Sequence, residues 1–170
     1  MSRLQRILMI VASALVFTLA NGANVEKNFE LDNGHIVVVL DDQVETAVVE
    51  QRPSVPGKCS PRLALRGSGG EWKVQRDDPG CSNDANGVLR LNPAWVGNLS
   101  LHMTAGQVDL AGDMLARLSA LRAAVKVGDV TGVPGVRRTW LVGAQVDLQQ
   151  PGEGMSLQVR VGAGQISFLK

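Results

Sequence analysis

The feature that most constrains the fold is a twelve-residue phrase that recurs in the second half of the chain. It reads LQVRVGAGQISF at 157–168, and altered copies begin at residues 99, 121 and 137. Apolar residues sit two apart in the copies, as in Leu157, Val159 and Val161. A period of two is typical of strands with one buried face. A recurring strand phrase therefore predicts an all-β chain whose copies stack on one another.

The same alternation predicts which side chains face the core. The residues expected to be buried are Leu101, Met103, Ala123, Val125, Val159 and Val161. The residues expected to be exposed are Ser100, His102, Arg122, Lys126, Gln158 and Arg160. A slip of one residue would exchange the two sets, so a buried face fixes the register.

Each copy contains a small residue midway, after which the strand resumes. Gly106, Gly128 and Gly164 occupy this place, and Ala144 replaces glycine in the weaker third copy. Glycine allows the backbone to turn or bulge where a Cβ would obstruct it. Four copies of the same polarity over 99–168 favour a β-solenoid-like stack. A meander of antiparallel hairpins is the alternative arrangement.

One stretch fits two secondary structures. Met114, Leu115, Leu118, Leu121 and Val125 recur at helical spacing, so a helix over 113–126 would remove the second copy. The match of residues 121–131 with the other copies favours a strand.

Polar residues also occupy equivalent places in the copies. Gln107, Asp129, Gln145 and Gln165 form one such set, and Asp109, Thr131, Asp147 and Ser167 form another. In a stack these sets predict polar ladders that hold the register by hydrogen bonding. A binding role for the first ladder is the alternative.

The segment before the copies has two parts. Alternation from Val25 onward, interrupted by Asn33-Gly34, predicts a hairpin with residues 35–40 as its second strand. Residues 51–95 are rich in proline and glycine and read as an irregular insertion, with a hairpin whose loop is 67–70.

The two cysteines, Cys59 and Cys81, flank the hairpin of this insertion and are the only ones in the chain. We expect them to form a disulfide. Free thiols or a metal pair are the alternatives, and the lack of a nearby histidine disfavours the metal.

The first 22 residues predict a secretory signal peptide. Arg3 and Arg6 precede an apolar run over 7–19, and the small residues at 20–22 suit cleavage before Ala23. The alternative, an uncleaved anchor, needs about 20 apolar residues. We therefore expect a single β-repeat domain over 23–170, periplasmic or secreted, with no later membrane span. Removing two of the 17 basic residues leaves the 16 acidic residues in slight excess, which gives no reason to expect nucleic acid as a partner.

Motifs for catalysis or metal binding are missing from the sequence. Ser68 lacks the glycine spacing of a nucleophile elbow, and residues 82–87 lack the outer carboxylates of a calcium loop. His35 and His102 are isolated in the sequence. We therefore expect no enzyme, no cofactor and no metal. Trp72, Trp95 and Trp140 either cap the core or offer flat rings to a sugar.

The phrase at 99–168, together with Phe29-Glu30-Leu31, Gly34 and the apolar run 36–38, resembles the bacterial putative-adhesin family of domains of unknown function. The resemblance implies a β-solenoid and surface attachment, and it supplies no catalytic residues. The expected function is an exported non-catalytic domain with a structural, adhesion or assembly role, with an unknown envelope or surface component as partner. The alternative is a carbohydrate or small-ligand binding module that uses the tryptophans.

Overall fold

The computed structural model describes residues 25–52, 59, 61–78, 80–81, 84–139, 142–151 and 154–169. Within these residues one sheet of eleven strands forms, so the all-β prediction is confirmed. The strands are β1 (Lys27–Leu31), β2 (Gly34–Leu40), β3 (Ala47–Gln51), β4 (Leu63–Ser68), β5 (Glu71–Arg76), β6 (Ala85–Leu91), β7 (Leu99–Ala111), β8 (Leu118–Thr131), β9 (Arg137–Thr139), β10 (Gly143–Gln149) and β11 (Met155–Phe168). The predicted signal peptide and Trp140 lie outside the described residues.

Helical structure in this part of the chain is confined to short turns. Helix α1 (Pro93–Val96) is capped by Asn92, whose Oδ1 accepts hydrogen bonds from the backbone nitrogens of Ala94 and Trp95. A 3₁₀ turn spans Met114–Arg117 and leads directly into β8. The strand prediction for the second copy is therefore confirmed. No helix of the described residues has both the length and the apolar character needed to cross a bilayer.

Strands β1 and β2 do not form the hairpin that Asn33-Gly34 predicts. Both instead run parallel to β7, with Leu31 opposite Met103 and Gly34 opposite Gly106. The Asn33 side chain accepts a hydrogen bond from the backbone nitrogen of Ala105 at 3.0 Å, which ties the junction to β7. The two strands together form one further copy of the repeat, bent at Gly34. The hairpin prediction was wrong because the positive φ of Gly34 serves a bend in a continuing direction and not a reversal.

The three strong copies pair in parallel and in register. Gly164 of β11 lies opposite Gly106 of β7 on one side and Gly128 of β8 on the other. The last copy in the chain thus lies between the first two. The three copies are parallel, but they do not follow one another in chain order as the coils of a solenoid would. The sheet is also not closed.

The third copy departs from the others in direction. It folds into the hairpin of β9 and β10, and β10 pairs antiparallel with β8. The prediction that all four copies share one direction was wrong. The difference lies in the third copy itself, where β9 and β10 pair antiparallel and Ala144 lies opposite Val125, out of line with the corner glycines.

The segment predicted as an irregular insertion contributes strands to the same sheet. Strands β4 and β5 form the predicted hairpin, closed by the turn Gly69–Gly70. Strand β5 runs parallel to β1, and β6 runs parallel to β2. Strand β3 covers the far side of β6 in antiparallel pairing. Cys59 and Cys81 form the predicted disulfide.

A row of glycines crosses the sheet where each copy bends. Gly34, Gly106, Gly164 and Gly128 lie on neighbouring strands in that order, with φ between 134° and 143°. A Cβ on Gly164 would overlap the carbonyl oxygen of Gly106, and a Cβ on Gly128 would overlap that of Gly164. Such φ values are open almost only to glycine. This glycine corner therefore fixes both the bend of each strand and its close approach to the next.

The corner directs both halves of each strand toward one core. In β7 the buried residues before the corner are Leu99, Leu101 and Met103, and those after it are Val108 and Leu110. The phase of the alternation changes at Gly106, so the bend brings both apolar sets into one cluster. Burying a large apolar side chain contributes about 1.5–3 kcal/mol.

The predicted burial pattern is confirmed for the core side. All six residues expected inside are at most 2% exposed. On the other side His102, Arg122, Lys126 and Arg160 are exposed, whereas Ser100 and Gln158 are half-buried.

The alternation around residue 160 predicts that two neighbouring substitutions change the free energy of unfolding by very different amounts. Val161→Asp places an unpaired carboxylate in the core and should lower the free energy of unfolding by about 4 kcal/mol. Arg160→Asp, one residue away on the exposed side, should change it by only about 0.5 kcal/mol. Denaturant unfolding of both variants measures the difference. A larger loss at Arg160 would contradict the assigned faces.

The glycine corner can be tested against a glycine that is free of neighbours. Gly164→Ala should cost about 3 kcal/mol or more, because the backbone region excludes alanine and the new Cβ meets the Gly106 carbonyl. Gly112 also has a positive φ of 77°, but nothing lies within 4 Å of the place that a Cβ would take there. Gly112→Ala should therefore cost only about 1 kcal/mol. Thermal unfolding should rank the two variants in this order, and equal losses would refute a special role for the corner.

Candidate functional site

The candidate site is the outer face of the sheet before the glycine corner, formed by the side chains that alternate with the core residues. Two rows of residues cross this outer face on β5, β1, β7, β11, β8 and β10. The first row is Glu71, Asn28, Ser100, Gln158, Arg122 and Asp147, and the second is Lys73, Glu30, His102, Arg160, Ala124 and Gln145. Each residue is exposed or half-buried. The outer face is therefore a polar surface in which neighbouring strands hold the side chains in fixed register.

Charges at the two ends of the outer face are paired. At one end Glu30 lies 3.4 Å from the Nζ of Lys73, and Glu71 accepts a hydrogen bond from the Asn28 amide at 2.8 Å. At the other end Arg122 lies 3.2 Å from Asp147. Exposed pairs of this kind contribute less than about 1 kcal/mol each. Lys73 and Arg122 offset the charges of Glu30 and Asp147, whereas the partner of Glu71 is a neutral amide.

The middle of the outer face carries basic groups without carboxylate partners. Within the described residues, neither Arg160 nor Lys126 forms an ion pair. With its amide oriented to satisfy its neighbours, Gln158 accepts hydrogen bonds from Nε and Nη2 of Arg160 at 2.8 and 2.6 Å. These bonds hold one edge of the guanidinium and fix its position. His102 is next to Arg160 on the adjoining strand.

Three aromatic residues, Phe29, Trp72 and Trp95, gather at one end of the sheet. The Trp72 and Trp95 rings meet edge to face with centroids 5.6 Å apart, and both contact Phe29. The ammonium of Lys27 lies 4.9 Å from the Trp95 ring centre. Both indoles pack against the core, which agrees with a capping role. A groove of about 510 Å³ on the outer face is lined by Glu71 and Lys73 of β5, whereas the Trp72 indole between them lies on the core side with Phe29. Ligand binding by Trp72 remains a prediction.

Part of the predicted polar ladder forms beyond the glycine corner. Gln107, Gln165 and Asp129 lie side by side on β7, β11 and β8. Gln145 does not join them, because β10 runs the other way and places this residue opposite Ala124. The prediction was wrong for Gln145 for this reason. His35 on β2 extends the ladder beside Gln107.

A buried carboxylate links this ladder to the second predicted set. Asp109 has a side chain only 8% exposed, and its two oxygens lie 2.7 Å from Nε2 of His35 and 2.7 Å from Nε2 of Gln107. Asp109, Ser167 and Thr131 are in register, whereas Asp147 belongs to the outer face. The contact between His35 and Asp109 was missed from the sequence. Aligning 27–40 as a further copy would have found it, since His35 then takes the place of Gln107.

The polar groups near the corner form a groove of about 750 Å³ that includes Asn33, His35 and Gln165. Beside it, Asp32 pairs with Arg76 at 2.9 Å. Partial burial raises the pKa of Asp32, but hydrogen bonds from Arg76 and Asn33 and the positive charge of Arg76 outweigh burial and hold the pKa below its ordinary value. Asp32 therefore stabilises the fold above about pH 4, and this contribution is lost as the pH falls through the lowered pKa.

The chemistry available at these places is hydrogen bonding and charge pairing. In the described part of the chain, the His35 ring bonds Asp109 and no hydroxyl or thiol nucleophile. A histidine and a carboxylate need such a group in contact for nucleophilic catalysis. No group of three or more potential metal-binding side chains comes together among the residues described.

Comparisons with known proteins add little to this geometry. No family model and no curated protein matches the chain. A crystal structure described as a putative cell adhesion protein from Clostridium sporogenes matches with a TM-score of 0.36 and 11% sequence identity, over 88% of this chain and 94% of that one. A TM-score this low supports no conclusion about the function of this chain.

The buried carboxylate of Asp109 predicts a difference between two Asp→Asn substitutions. Asp109→Asn removes the charge that accepts hydrogen bonds from two side chains and should lower the free energy of unfolding by about 1–3 kcal/mol. Asp147→Asn, where the side chain is 44% exposed, should cost about 0.5 kcal/mol or less. Denaturant melts of both variants at neutral pH test this. Equal costs would mean that Asp109 is not structurally important.

Proposed function

We propose that this chain is a non-catalytic module of the cell envelope or surface, exported through its signal peptide, with a role in adhesion, structure or assembly. The observation that carries the proposal is the outer face. It presents registered rows of polar side chains across one continuous sheet. A broad surface of this kind suits contact with an extended partner better than enclosure of a small substrate.

Two further observations support the location. The disulfide between Cys59 and Cys81 suits an oxidising compartment outside the cytosol. The Arg-headed apolar run over 7–19 supports export. The resemblance of the repeats to the bacterial putative-adhesin family favours attachment as the role, and a sequential β-solenoid remains part of that resemblance only.

Contacts among the described residues support the non-catalytic part of the proposal. On the outer face Glu30 is paired with Lys73, and Arg122 is paired with Asp147. Beyond the corner, the half-buried His35 and Gln107 both bond the buried carboxylate of Asp109, and such a network rigidifies the fold.

A carbohydrate or small-ligand binding module is the second candidate. It is favoured by Trp72, which is only half-buried on the core side of β5 and leaves part of its indole accessible. It is disfavoured by the ring contacts with Trp95 and Phe29, which occupy part of the aromatic surface.

Site-specific photocrosslinking in the native host tests the outer face as the contact surface. A benzophenone amino acid at Gln145, which is exposed on the outer face, should give covalent adducts with a component of the envelope fraction. The same group at Gln43, which is exposed in the turn after β2, serves as the matched control and should give few adducts. Equal yields at the two sites, or none at either, would contradict the proposal.

A further inference from the structure

We propose that the outer face binds a linear acidic polysaccharide, with Arg160 and Lys126 as the residues that recognise its anionic groups. This inference rests on the proposed function and names the chemistry of the partner. Three features carry it: a continuous trough, a basic centre without carboxylates in its lining, and hydroxyl groups along the trough.

Two grooves join to make the trough. One, of about 510 Å³, lies beside Glu30 and Lys73, and the other, of about 700 Å³, lies beside Lys126 and Arg160. Both are lined by Ser100 and His102, so they meet over β7. The trough crosses β5, β1, β7, β11 and β8, a width of about 19 Å at the usual spacing of strands. A length of this order suits several units of a polymer and exceeds a single small ligand.

The floor of the trough between the basic residues is formed by small residues. Ala124 and Gly162 lie on β8 and β11 next to Lys126 and Arg160. A Cβ on Gly162 would overlap the carbonyl oxygen of Thr104, so the close strand approach requires glycine here. The longer basic side chains therefore stand above a shallow floor, where a chain can lie between them.

The charge distribution specifies an anionic ligand. The part of the trough that holds Lys126, Arg160 and His102 has no carboxylate in its lining. The carboxylates at the other part, Glu30 and Glu71, are engaged by Lys73 and Asn28. Since Gln158 already holds Nε and Nη2 of Arg160, the guanidinium is oriented before the ligand arrives, which lowers the entropic cost of binding.

The remaining groups favour a sugar polymer over a lipid surface. Ser100 and Thr104 line the trough and offer hydroxyls for hydrogen bonding to the hydroxyl groups of a sugar polymer. Electrostatic binding to anionic lipids usually needs a cluster of about four to eight basic residues. The outer face has fewer unpaired cations, and they lie in a trough.

Binding of a galacturonic acid oligomer to the purified full chain, measured by calorimetry at low salt, tests the proposal. The double variant Lys126→Gln with Arg160→Gln should bind about tenfold more weakly or worse, because it loses two charge-assisted contacts. The control Arg62→Gln with Arg117→Gln makes the same change in net charge at exposed arginines outside the trough. The control should bind within about twofold of the unaltered chain. Since all four side chains are exposed, thermal unfolding should show both variants folded.

Three further probes identify what is bound. A neutral galactose oligomer should not bind. Polyglutamate and vesicles of phosphatidylglycerol with phosphatidylcholine should bind more weakly than the acidic oligomer. Equal loss in the double variant and its control, or equal binding of polyglutamate or vesicles, would overturn the assignment. No binding of the acidic oligomer would also overturn it, while crosslinks from Gln145 in the native host would then leave the proposed function standing.

Discussion

The structure depends on the close approach of backbones at the glycine corner. Four neighbouring strands bend at Gly34, Gly106, Gly164 and Gly128, where an added Cβ would collide with the carbonyl of the next strand. Because each bend changes the phase of the alternation, both halves of a strand direct apolar side chains into the same core. The corner thereby makes one sheet serve as both walls of its own core, with few aromatic residues needed to fill it.

The same geometry determines the outer face. A strand that buries every second residue must present the others to solvent, and parallel register aligns those residues across neighbouring strands. The pairing of β7, β11 and β8 brings His102 and Arg160 side by side and Lys126 two residues further along. Basic groups that are distant in the chain thus meet in one trough. The proposed recognition of an acidic polymer follows from this alignment and from the pairing of the nearby carboxylates.

Strand order decides which ladders form. The last copy lies between the first two, so Gln165 joins Gln107 to Asp129. The third copy reverses, so Gln145 and Asp147 leave the ladders, and Gln145 becomes a neighbour of the basic trough through Ala124. The bent copy of β1 and β2 adds His35, which reaches the buried carboxylate of Asp109. Equivalent places in a sequence therefore become neighbours only when the strands also share direction and order.

The sequence by itself determined the strands of the strong copies, their buried faces and the disulfide. The alternation is visible in neighbouring residues, and two cysteines allow only one pairing. It also indicated that Leu118–Thr131 is a strand. It did not determine that Asn33-Gly34 is a bend, because a positive φ at glycine permits both a hairpin and a corner. Nor did it determine which strands are neighbours. That was decided by tertiary packing, since parallel pairing depends on long connections whose paths leave no mark on the strand pattern. The basic trough is a product of that order.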